Sequence, residues 1–203
     1  MGSAQHFIEY EMDDQKSRRR RGSELETAIL EAAWLELVET GYYNLTLENI
    51  AKRAGTSRTV LNRRWGGRAE VAAAAVSQYV RLNPLEVPDV GNLRAELIFL
   101  LTEFSRRTQP KIMRMVFEMG ADLATQDRGF VELGPQKKDY SPVGAILKRA
   151  VDRSEIKSEH ITPRLINLPT DLARHEIMVT QRPLSEASIL SIVDDVFLPL
   201  VTR

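Results

Sequence analysis

The chain has 203 residues, 28 basic and 28 acidic, a formal net charge of zero, 43% hydrophobic residues and no cysteine. That size and balance suit an ordinary globular protein with one good core or two modest ones, here expected as a small domain joined to a larger one. The lack of cysteine excludes disulfides and thiolate zinc sites, and His6, His160 and His175 are too scattered to suggest a metal cluster, so neither metal nor cofactor is expected.

In chain order, residues 1–22 read as a flexible N-terminal arm that carries "SRRRRG", Ser17 to Gly22. The run suits a basic arm lying in a DNA minor groove, and equally a solubilising tail. From Lys16 to Arg68 eleven basic residues meet six acidic ones, leaving +5 in a chain that is neutral as a whole. The excess sits at the arginine run and around the second and third helices. Such a local footprint points to a polyanion partner, with a solvated charged face as the plain alternative.

Leu25, Ile29, Ala33 and Leu37 recur every four residues, with Trp34 and Val38 beside them, so Ser23 to Thr40 reads as an amphipathic helix closed by Gly41. Thr46 is an N-cap, Glu48 favours the first turn, and Leu47, Ile50, Ala51 and Ala54 line one face of a second helix that stops at Gly55. Ser57 caps a third helix to about Trp65, with Val60, Leu61 and Trp65 inward. Gly66 and Gly67 break it, and an alanine-rich fourth helix runs from Arg68 to Arg81. Beyond "NPLEVP", helices are expected over Asn92 to Gln109, Lys111 to Ala124, about Ser141 to Arg153, Thr162 to Thr180 and Ser185 to Val201. No alternating strand pattern or internal repeat appears, and the fold class is all-α.

Two helices joined by a short glycine-bearing turn make a helix-turn-helix, whose second helix enters the DNA major groove. One face of that helix must anchor it to its own core, while the other carries donors for phosphates and base edges. Val60, Leu61 and Trp65 suit the first task; Arg58, Thr59, Asn62, Arg63 and Arg64 suit the second, since arginine pairs bidentately with guanine and asparagine with adenine.

The stretch from Ala28 to Val71, with "ETGY", "LTLENIA", the "AG-S" turn and "L-RRW" in order, resembles the N-terminal domain of the tetracycline-repressor (TetR) family of bacterial transcriptional regulators. The resemblance implies a homodimer that binds a double-stranded DNA operator, with a helix-turn-helix domain over residues 23–67 and a larger helical ligand-binding and dimerisation domain over 68–203; a cytoplasmic location is the default, given the absence of a membrane span or signal peptide. It implies that Arg58, Thr59, Val60, Asn62 and Arg64 face base edges, while Thr46, Arg63 and Arg68 reach phosphates. Two positions depart from the family: Asn62 stands where tyrosine is usual, and Arg68 where lysine is usual. The second keeps the charge; the first changes the chemistry offered to DNA.

In "KIMRMVFEMG", Ile112, Met113, Val116 and Phe117 share one face and Met115 and Met119 another, which suits either core or an adaptable ligand pocket. Resemblance and apolar spacing together place a small-molecule effector among Phe99, Phe104, Met113 and Phe117. "DLARHEI" puts Asp171 and His175 one helical turn apart, but no nucleophile is placed beside them; a solvated face or a polar patch at a dimer seam is the expectation. Pro169 suggests two short helices in place of one. Ile189, Ile192, Val193, Val196, Phe197 and Leu200 form a stripe that closes the monomer's core, or a homodimer through the last two helices, or both. No apolar run approaches the roughly 18 residues of a membrane span, and the start lacks a signal peptide's cationic end and apolar core, so no membrane partner is expected.

The function expected is therefore that of a ligand-responsive transcriptional repressor, released from a palindromic operator by a small apolar or amphipathic molecule. A dimeric DNA-binding regulator with no inducer is the alternative, and a helical enzyme the remote one.

Overall fold

A computed structural model of the chain describes residues 3–108, 110–125 and 141–202, with side chains from Gly22 onward. Among the described residues every regular element is helical: α1 (Ser3–Thr40), α2 (Leu47–Arg53), α3 (Arg58–Arg64), α4 (Arg68–Leu82), α5 (Leu93–Arg107), α6 (Pro110–Ala124), α7 (Pro142–Asp152), a 3-10 turn (Ser158–His160) and α8 (Pro163–Thr180). The chain ends in α9 (Glu186–Leu190), a π-helical stretch (Ser191–Phe197) and α10 (Leu198–Val201), which follow one another without a break. None of the described helices is long and apolar enough to cross a membrane.

Local capping sets most boundaries. Thr46, Asn92, Ser141, Thr162 and Ser185 each accept, through a side-chain oxygen, a backbone N–H of the helix they precede. Ser57 precedes α3 in extended conformation but makes no such bond, so the expected cap at that helix is only positional. Gly41 and Gly55 adopt φ values of +80° and +63° and end α1 and α2.

Two departures from the sequence expectations stand out. The helix expected from Ser23 starts at Ser3; nothing between Ser3 and Gly22 is proline, and one glycine weakens a helix without breaking it. The expected arginine run thus lies on helical backbone, while its side chains fall outside the described ones. Pro169 does not divide α8, which continues through it with Pro169 buried. Its missing N–H removes one backbone bond, and nearby side chains add local ones, Asn167 to the Pro163 carbonyl at 2.8 Å and Thr170 to the Asn167 carbonyl at 3.0 Å.

Among the described residues, those within Met1–Arg81 and Met119–Gly134 form one compact unit and those within Leu82–Glu118 and Pro135–Arg203 the other. The division after Arg81 lies near the end of α4, with Arg68 inside the first unit. Ala69, Val71, Ala72, Ala73 and Ala75 are buried, and the Tyr79 ring stacks on Trp34 of α1 at 3.9 Å. Small alanines allow the close approach, and the stack adds an aromatic contact to it.

In the other unit, Leu97, Leu100, Leu101, Ile146, Ala173, Ile177, Val193, Phe197 and Val201 belong to one apolar core. Glu96 is fully buried within that unit, where Arg149 donates to its Oε2 at 2.7 Å and Arg153 lies 3.0 Å from its Oε1. Of the expected C-terminal stripe, Ile189, Ile192, Val193 and Phe197 are buried, whereas Val196 is exposed and Leu200 half-buried. The wider π turn brings every fourth residue, from Ile189 to Val201, onto the inner face.

Candidate nucleic-acid interface

The turn between α2 and α3 is fixed by backbone bonds from Gly55 to the Lys52 carbonyl at 3.3 Å and from Thr56 to the Ala51 carbonyl at 2.9 Å. On α3 only Leu61 is fully buried; Val60 and Trp65, expected to face inward with it, are half-buried. Opposite Leu61, the side chains of Arg58, Thr59, Asn62 and Arg63 are exposed. None of these four bonds to another described residue. They occupy i, i+1, i+4 and i+5, so one solvent-facing strip carries two guanidinium groups, a carboxamide and a hydroxyl.

The structure sorts the cations around this strip into two sets. Lys52, Arg58 and Arg63 are exposed and unpaired among the described residues. Arg53, Arg64 and Arg68 tie the unit together. Arg53 pairs with Glu39 and, at 3.1 Å, with the buried Glu36, which also accepts from Asn49 at 3.0 Å. Arg64, expected at a base edge, donates to Glu26 at 2.7 Å and to the Gly22 carbonyl at 3.3 Å, joining the end of α3 to α1.

Arg68, expected at a phosphate, donates Nε and Nη2 to Asp122 Oδ2 at 3.2 and 2.9 Å, and its guanidinium lies 4.9 Å from the centre of the Tyr42 ring. The Tyr42 hydroxyl donates to the same oxygen at 2.7 Å. Burial, together with that carboxylate, pushes the phenol well above its ordinary value, while the bonds from Tyr42 and Arg68 hold the Asp122 carboxyl below the usual range.

Thr46 is exposed, with its hydroxyl accepting the Asn49 N–H at 3.1 Å. Tyr43, which the sequence reading passed over, is 84% exposed beside it. An aromatic in a turn looks like core in sequence, and only its neighbour Tyr42 is core. Asp122, Glu26 and Glu36 were missed for a different reason: no local pattern marks a partner 13 or more residues away.

The four expected effector contacts are not equivalent. Met113 is buried in the second unit's core and Phe104 packs against it, with the Arg174 guanidinium 5.9 Å from its ring centre. Phe99 and Phe117 are 39% and 64% exposed, so the structure does not enclose the four together. Asp171 pairs with Arg174 at 2.7 Å, not with His175, and all three are exposed, as a solvated face would be.

Residues 29–75 match the family model for bacterial regulatory proteins of the tetR family, and residues 87–196 the model for the tetracyclin repressor-like C-terminal domain. An uncharacterised HTH-type transcriptional regulator of Mycobacterium tuberculosis is 31% identical over 184 residues, covering 88% of each chain. A DNA-binding transcriptional repressor TetR of Mycobacteroides abscessus is 32% identical over 196 residues, covering 89% of this chain and 96% of the relative. Among solved structures, the fold is shared with a TetR family transcription regulator at a TM-score of 0.68 and 24% identity, over 89% of this chain and 100% of that one. It is also shared with a flavonoid-responsive regulator at 0.52 and 21%, over 87% and 96%.

Proposed function

Because the chain belongs to the tetR family of bacterial regulatory proteins, we propose that this helix-turn-helix transcriptional regulator is a homodimeric repressor released from a palindromic operator by a small apolar or amphipathic effector. The observation that carries the DNA-reading part is the exposed strip of Arg58, Thr59, Asn62 and Arg63, unpaired among the described residues, on a helix anchored by buried Leu61.

Arg58 and Asn62 lie one turn apart, roughly 6 Å along the helix, which matches one to two base-pair steps. Arg58 then takes a guanine edge and Asn62 an adenine edge close by, with Thr59 on the same strip and Val60 offering a methyl contact to thymine. Arg63, Thr46 and the free edge of Arg68 take phosphates. Arg64 joins the reading set only by releasing Glu26.

The repressor role is supported by the name of the Mycobacteroides abscessus relative. Dimerisation through the last two helices is supported by Val179 and Val196, exposed apolar side chains at 64% and 36%; a two-fold pair sets two α3 helices at half-sites about 34–36 Å apart. Effector binding is assigned to the C-terminal unit, against Phe104 and Met113, with exposed Phe99 and Phe117 as apolar surface for it to cover.

The test is selection of genomic DNA fragments by the purified full chain, followed by binding of the enriched duplex. One enriched inverted repeat, bound more weakly as salt rises, is the expected result. Selection that returns no enriched sequence overturns the reading.

A further inference from the structure

We infer that Asp122, near the end of α6, is a positioning residue for DNA binding: with Tyr42 it fixes the Arg68 guanidinium so that its outer edge meets a backbone phosphate. This rests on the DNA-binding reading above and adds to it the residue through which Arg68 is held ready.

An arginine carries five N–H groups. Asp122 Oδ2 takes one from Nε and one from Nη2, and the Tyr43 carbonyl takes one from Nη1 at 3.4 Å. Among the described residues two N–H groups remain without an acceptor, one on each terminal nitrogen, and both can donate to phosphate oxygens. Arg68 is 41% exposed at its side chain, so solvent, and hence a ligand, reaches it. The Tyr42 ring lies under the guanidinium at 4.9 Å, and its hydroxyl holds Asp122 Oδ2 at 2.7 Å. Three contacts of different kinds thus restrict one long side chain.

A free arginine loses much rotamer freedom when it grips a phosphate, whereas one already fixed loses little. Against this stands the carboxylate's own charge, which repels DNA. The two effects predict opposite signs for Asp122→Asn. That substitution makes the protein more positive by one charge, so electrostatics alone predicts tighter binding. The positioning role predicts weaker binding.

The measurement is affinity of the full chain, across a salt series, for the duplex enriched by selection and for sheared genomic duplex DNA. Asp122→Asn is expected to weaken both about three- to tenfold and to shrink the slope of log affinity against log salt by up to about 0.9 per half-site. In an Arg68→Ala background it should weaken nothing further, because the side chain it holds is gone. Tyr42→Phe keeps the ring and deletes only the hydroxyl, so it should give a smaller loss of the same kind, and it serves as the reading if Asp122→Asn melts early. Unchanged or tighter binding by these variants overturns the proposal, as does an equal loss for Asp122→Asn with and without Arg68. If the wild-type chain binds neither DNA, the DNA-binding reading itself falls.

Discussion

Arg63→Ala tests the proposed phosphate contact of Arg63 without touching the fold. Arg63 is exposed and bonds to no other described residue, and alanine is at least as good a helix former as arginine, so the melting temperature should not fall. In a two-fold dimer the substitution deletes two phosphate contacts. At about 0.9 per contact, the slope of log affinity against log salt should shrink by about 1.8. Between about 50 and 200 mM salt, a fourfold change, the wild type should therefore lose roughly twelvefold more affinity than the variant. Fluorescence anisotropy with the enriched duplex at several salt concentrations reads this directly. Arg64→Ala is the contrast: its partner Glu26 is 51% exposed, so losing the pair should cost no more than about 1 kcal/mol of stability. The salt slope should stay near the wild-type value. Equal slopes for wild type and Arg63→Ala, or an equal drop for both variants, would refute the sorting of free from tethered arginines.

Leu61→Ala opens a hole beneath α3, and because Leu61 is fully buried a loss of about 2–5 kcal/mol is expected in denaturant unfolding. Glu96→Ala leaves Arg149 and Arg153 facing an emptied buried site; as both arginines keep some solvent contact, about 2–3 kcal/mol is expected, again from denaturant midpoints. If the proposed dimer forms through the last two helices, Val179→Asp with Val196→Asp should convert it to monomer in sedimentation while helicity by circular dichroism holds; a dimer that survives both changes places the interface elsewhere. The Asp122 carboxyl is held below its ordinary value, so it contributes stability above the unfolded-state value near about 3.9 and loses it as pH falls through the folded one. The gap in melting temperature between wild type and Asp122→Asn should accordingly close on acidification, and a gap that is constant with pH would show that the charge plays no part.

The family, the helical class and most helix ends were legible in the sequence, because the features that set them are local. Thr46 bonds to Asn49 and Asn92 to Ala95, three residues on; Gly41 and Gly55 adopt the left-handed backbone that ends a helix. Apolar spacing likewise marked Ile29, Ala33, Leu37 and Leu61, all of them fully buried. The π-helical stretch was not legible, because the three- and four-residue spacing that announces a helix does not say which of Val196 and Val201 turns inward. Nor did local pattern reveal that Phe117, in a methionine-rich helix, is exposed. The fate of the arginines was decided by tertiary structure alone. Arg58, Arg63, Arg64 and Arg68 look alike along the chain, yet Arg64 meets Glu26 across 38 residues and Arg68 meets Asp122 across 54. An ion pair forms when packed helices bring two side chains within a few ångströms, and that distance exists only once Leu61 and its neighbours have chosen which face of each helix turns inward.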